Sequence, residues 1–172
     1  MSNPQPPLLL RPWREGDQLA LVRHANNPLI AANVRDTFPH PYTLADANWY
    51  VRTGSQGTNQ LSFAVEIGGE AVGAIGFVQQ TDIHRASAEI GYWLGETYWG
   101  RGIVAEAARR AVPLAFAHWP EVQRIFAGVL SHNPASMRVL EKAGFTPEAV
   151  LHRAVMKNGI VEDEHLYAVW RE

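Results

Sequence analysis

A carboxylate and a pair of glycines are the residues in this chain best suited to chemistry. Glu89 stands in the run Ser87 to Leu94, whose members are mostly apolar or aromatic. A carboxyl group on such a strand is expected to be buried, and burial raises its pKa toward the range of proton exchange at neutral pH. Glu89 is therefore a candidate general base. The competing reading is a structural ion pair with Arg85 or Arg124. Further on, Gly100 and Gly102 lie one residue apart in "YWGRGIVAEAARR", Tyr98 to Arg110. Neither has a Cβ, so the main chain there can come close to a ligand. The pattern after Gly102 is helical, and a helix start offers unpaired N–H groups and the positive end of its dipole. Together these make a seat for a phosphate or pyrophosphate, with Arg101 as a cation at the rim.

Two nucleotide motifs compete for these glycines. Gly100-x-Gly102-x-x-Ala105 matches the dinucleotide fingerprint in letters. That fingerprint also wants a strand running straight into the first glycine and an acidic residue near the end of the next strand. The stretch Ile125 to Leu130 has no acid, and the chain from Glu106 to Glu172 is too short for the rest of a doubly wound sheet. A Walker loop fails because no Lys-Ser or Lys-Thr follows the glycine.

The elements that must position these groups follow from periodicity. Leu8 to Leu10 reads as a first strand and Asp17 to Ala25 as a helix, interrupted at Asn26-Asn27-Pro28. Thr43 to Asp46 reads as a capping box opening a second helix to about Thr53. Leu61 to Ile67 and Ala71 to Gln80 are strands joined by a tight Gly68-Gly69 turn. Ser87 to Leu94 is a central strand. A long helix runs from the glycine motif to about His118, where Pro113 must kink or end it locally. Arg124 to Leu130 is a strand, and Asn133 to Ala143 a short helix ended by Gly144. Thr146 to Val155 and Ile160 to Trp170 form a hairpin through Asn158-Gly159. The order is β-αα-βββ-α-β-α-ββ. This implies an α/β (α+β) fold with one mixed central sheet and helices on both faces.

Composition narrows the function classes. At 172 residues with 47% hydrophobic and 19% charged residues, the chain fits one globular domain, expected over residues 8–172. Net charge is −2, so nothing points to nucleic acid or anionic lipid as a partner. With no cysteine, thiolate nucleophiles and cysteine–zinc sites are excluded. The seven His lack metal-ligand spacing, so no metal is expected. No apolar run is long enough to span a membrane. Met1 to Pro7, with three prolines, is expected to be disordered and is no signal peptide, which makes a cytoplasmic location the default.

"EIGYWLGETYWGRGIVAEA" followed by "HNPASMRVLEKAGF" resembles the GCN5-related N-acetyltransferase (GNAT) superfamily, and its ribosomal-protein N-terminal acetyltransferase branch in particular. "LLLRPWREGD" and "EDEHLYAV" extend the likeness over most of the chain. The resemblance implies acetyl-coenzyme A as donor. Its pyrophosphate would rest on the amides of Gly100, Arg101, Gly102, Ile103 and Val104. The strand carrying Tyr92, Trp93 and Leu94 would flank the pantetheine arm, with strand Arg124 to Leu130 splaying away to make room. A backbone N–H of the earlier strand would polarise the thioester carbonyl. Asn133 and Ser136, which otherwise read as a plain helix start, would contact the coenzyme near its sulfur. Ser136 would then assist the leaving thiolate. His40, Tyr42 and Asp163 become candidates for the acceptor site. Relatives often pair, so a homodimer is an expectation.

Two positions depart from the family pattern. Thr97 stands where the glycine motif usually begins with Gln or Arg. Leu140 stands where many relatives carry a tyrosine acid.

The function implied is direct transfer of acetyl to a primary amine in a ternary complex. The amine is a protein N-terminus or a small molecule such as an amino acid, polyamine or antibiotic. A lysine-like amine costs roughly 4 kcal/mol to deprotonate at about pH 7.4, whereas a peptide α-amine costs under about 1 kcal/mol. The rival is a non-catalytic module that binds acyl-coenzyme A.

Overall fold

Hairpins dominate the first half of the chain and crossovers the second. The computed structural model describes residues 7–172, so of the stretch Met1 to Pro7 all but Pro7 lies outside the described residues. Seven strands form one sheet in the order β1-β2-β3-β4-β5-β7-β6. They are β1 (Leu8–Arg11), β2 (Gln60–Ile67), β3 (Glu70–Gln79), β4 (Ser87–Leu94), β5 (Arg124–Leu130), β6 (Thr146–Lys157) and β7 (Ile160–Trp170). Only β4 and β5 are parallel neighbours. Gly68-Gly69 and Asn158-Gly159 close their hairpins with all four residues at positive φ, the geometry that two-residue turns require.

The helices divide between the two faces. The helices α1 (Gln18–Ala25), α2 (Pro28–Ala31) and α3 (Leu44–Trp49) lie before β2 in the chain. Leu21, Ala25, Tyr42, Ala47 and Val51 form a small core here, with Trp93 of β4 packed against it. A larger core joins the other side of the sheet to α4 (Ile103–His118) and to Leu140 of α5 (Pro134–Lys142). Alternation along β4 decides which residues serve which side. Ala88, Ile90 and Leu94 go to the larger core, leaving Glu89, Gly91 and Trp93 for the other face.

Two details differ from expectation. The four residues of α2, too few for a periodic signal, follow the Asn27 cap, whose side chain accepts from Leu29 N–H at 2.8 Å. The helix opened by the Thr43–Asp46 capping box ends at Trp49 and passes into a wider turn from Tyr50 to Gly54. As expected, α4 reaches His118, with Pro113 inside it. Proline removes one helical hydrogen bond, but Ala111 and Ala115 on either side of it are fully buried against the sheet. That packing carries the helix across the gap.

At the far edge, β6 slips against β7. Leu151 pairs with Glu164 and Val155 with Glu162, so three residues of β6 oppose one of β7. Arg153 takes φ 53° in this bulge. Asp163 holds it, accepting from Arg153 N–H at 2.8 Å and pairing with His152 Nδ1 at 3.1 Å.

Candidate active site

The parallel pairing of β4 with β5 is short. Ser87, Ala88 and Glu89 match Arg124, Ile125 and Phe126, and the ladder stops there. Beyond Glu89 the two strands part, and the gap opens toward the starts of α4 and α5. Gly102 precedes α4 in the left-handed conformation, φ 73° and ψ 7°, and no side chain caps this end. The first-turn amides therefore have neither a helical acceptor nor a capping oxygen among the described residues. Gly100 is also left-handed, at φ 74°. A Cβ added to either glycine would meet nothing within 4 Å. The space in front of both is open, as an anion seat requires.

A cavity of about 530 Å³ fills this gap. All ten residues expected to hold the coenzyme line it: Tyr92, Trp93, Leu94, Gly100, Arg101, Gly102, Ile103, Val104, Asn133 and Ser136. Asn133 caps α5, its Oδ1 accepting from Ser136 N–H at 3.1 Å. Ser136 Oγ in turn lies 2.7 Å from the hydroxyl of Tyr92 on β4. Burial pushes that phenol up to about 12, against the smaller pull of its bond with Ser136. A buried phenol of this kind stays protonated at neutral pH and holds the serine in place. Leu140 is fully buried and offers no acid at the position where the family often has one. Two cations missed in the sequence, Arg138 and Lys142, also line this cavity from α5. Their spacing of four residues on one helix face was the available signal.

A second cavity, about 570 Å³, lies on the opposite face of β4. The two share Val34, Tyr92 and Trp93. Phe38, Tyr42, Trp49 and Tyr50 give it aromatic walls, and Glu89 lines it. The Glu89 side chain is 21% exposed, and its partner is Arg35, a residue 73% exposed at its side chain. Neither expected partner is used. Arg124 pairs with Glu148 and lies over the Phe126 ring, and Arg85 donates to the Asp82 carbonyl. Sequence reasoning expected a buried carboxylate here. The cavity admits solvent to the face that Glu89 shares with Gly91, so the group stays accessible and ion-paired.

The loop that carries Arg35 is fastened twice. Arg35 reaches Glu89, and Asp36 Oδ1 meets Lys157 Nζ at 2.7 Å, which ties the tip of the last hairpin to the same loop. Val34 at its start separates the two cavities.

Of the three acceptor-site candidates, only Tyr42 lines this cavity. His40 is exposed and lies off the lining. Asp163 is also absent from it, because its carboxylate is committed to the β6 bulge. Those bonds, led by the Arg153 N–H, hold its pKa below the usual carboxylate value. Among the described residues, no group of three or more His, Asp or Glu is arranged to hold a metal ion, and no helix is long and apolar enough to cross a membrane.

The sheet is split between β4 and β5, and an uncapped glycine turn faces the gap. Residues 7–146 match the acetyltransferase (GNAT) domain family, and the chain belongs to it. Among curated relatives, the probable N-acetyltransferase YjcK of Bacillus subtilis (strain 168) is 46% identical over 83 residues, 48% of this chain and 45% of that protein. The ribosomal-protein-serine acetyltransferase of Escherichia coli (strain K12) is 33% identical over 99 residues, 58% of this chain and 54% of that protein. The chain thus spans about half the length of the curated relatives it matches. Among solved structures, Mycobacterium smegmatis RimJ in complex with CoA-disulfide superposes with a TM-score of 0.78 at 27% identity, covering 95% of this chain and 81% of that one.

Proposed function

We propose that the protein transfers the acetyl group of acetyl-coenzyme A to a primary amine. The observation that carries this reading is the meeting of two cavities at Tyr92 and Trp93, where β4 leaves β5. One is lined by glycines and helix starts, the other by aromatic rings and a carboxylate.

In this reading the coenzyme's pyrophosphate sits on the amides of Gly100 to Val104, with Arg138 and Lys142 as nearby cations. Its arm lies in the gap between the strands, and the amine enters from the aromatic side. Glu89 takes the proton that the amine must lose, directly or through water, once the ammonium displaces Arg35 from it. The nitrogen attacks the thioester carbonyl, the C–N bond forms and the C–S bond breaks. Ser136 donates to the departing thiolate while Tyr92 donates to Ser136. No residue needs to carry the acetyl group, in keeping with a chain that has no cysteine. One relative is named for a ribosomal protein and an α-amine is easier to deprotonate than a lysine, so both peptide and small-molecule amines belong in the panel.

The test is release of free thiol from acetyl-coenzyme A in the presence of an amine panel, with matching acetylation read by mass. Glu89→Gln is expected to lower kcat roughly a hundredfold with unchanged coenzyme A affinity. Tight coenzyme binding with no thiol release on any amine would overturn the proposal and favour a binding module.

A further inference from the structure

The acceptor cavity has a floor as distinctive as its walls. Glu89, Gly91 and Trp93 share one face of β4, since side chains alternate along a strand. Their partners on β3 are Val78, Gly76 and Ala74 in turn, and Gly76 is paired on its other side with Ser62 of β2. The middle row of the floor, Ser62–Gly76–Gly91, thus holds a serine and two glycines. A Cβ built on Gly91 meets nothing within 4 Å. The space above it is cavity.

The polar groups around this floor are mostly taken. Ser62 Oγ lies 2.9 Å from the Tyr50 hydroxyl and accepts from the Trp13 indole N–H at 3.0 Å. The Asp46 carboxylate is bound by Thr43, at 2.8 Å from its N–H and 2.6 Å from its hydroxyl. What faces the space is ring surface, backbone and two carboxylates: Asp46, whose Oδ2 takes both Thr43 bonds, and Glu89, whose present partner is an exposed arginine. Exposed ion pairs of this kind are weak, so a substrate ammonium can replace the guanidinium.

From this geometry, and resting on the acetyl-transfer reading, we infer that the acceptor is a small amine with a compact apolar body, of the arylalkylamine class. Its ammonium meets Glu89 and its ring lies on the glycine floor against the aromatic walls.

The experiment measures thiol release with 2-phenylethylamine, ethylamine, spermidine and a peptide with a free N-terminal serine, on wild type and Gly91→Val. In the wild type, kcat/KM for 2-phenylethylamine is expected to exceed that of each other amine by at least about tenfold, the worth of burying one ring. Gly91→Val fills the floor and is expected to cut the 2-phenylethylamine value at least about tenfold, with coenzyme A affinity unchanged. A wild type that prefers spermidine or the peptide overturns the inference while leaving acetyl transfer intact. So does a Gly91→Val enzyme that binds coenzyme A and keeps its 2-phenylethylamine rate. Coenzyme binding without turnover of any amine sinks acetyl transfer and this inference together. If Gly91→Val no longer binds coenzyme A, the wild-type ranking and Gly91→Ala decide.

Discussion

The two cavities on either side of β4 are built by opposite means. The one beside α4 and α5 is formed mainly by main chain: an uncapped helix start, two left-handed glycines and a strand with no partner on one side. The one beneath α3 is formed by side chains drawn from distant parts of the sequence, with Arg35 and Glu89 54 residues apart. Main-chain sites suit a ligand common to many proteins, because amides do not change when the sequence drifts. Side-chain sites change with each substitution, so they carry the choice of partner. The division fits a constant donor on one face and a chosen acceptor on the other.

Substitutions can break this contrast or sharpen it. The largest effect is expected at Gly102. Valine there is strained at φ 73° and puts its branches into the seat, so coenzyme A binding should weaken roughly a hundredfold by calorimetry. Normal binding would mean that the turn only starts a helix.

Tyr92 stands between the cavities and sharpens the line between them. Tyr92→Phe should lower kcat about tenfold, the order of one lost hydrogen bond to a developing charge, with KM for the coenzyme little changed. The pH profile gives the sign. A phenol pushed up to about 12 keeps its proton below that pH, so the wild-type to mutant ratio should be equal at pH 7 and pH 9. A ratio that collapses by pH 9 would mean that the phenol ionises and cannot be the donor.

The smallest effect is expected at Arg35. Arg35→Ala frees Glu89 for the substrate ammonium, and the amine KM should fall by a factor of about two to five at low salt. Screening should close that gap at high salt. A KM that rises would show that Arg35 itself holds the acceptor.

The same contrast explains what could be read from the residues in order. Every strand was legible, because alternation, Gly68-Gly69 and Asn158-Gly159 are local signals. So was the clustering of residues around the cavity beside α4 and α5, since Gly100, Gly102, Asn133 and Ser136 lie in two short motifs. The cavity on the other face of β4 was not. Nothing near Glu89 in the chain names Arg35 as its partner, and the Gly76–Gly91 pair exists only through strand register. Asp163 was a candidate for the acceptor site, but a bulge ten residues upstream claims its carboxylate.

The bulge also bears on how the molecule ends. β6 closes the sheet as a strand of 12 residues with Val150, Leu151 and Met156 open to solvent, a natural template for growth by a neighbouring chain. The kink at Arg153 interrupts its row of outward N–H and C=O groups, so a straight incoming strand loses registry halfway along. Asp163, by clamping that kink, guards an otherwise sticky border against fibre-like stacking.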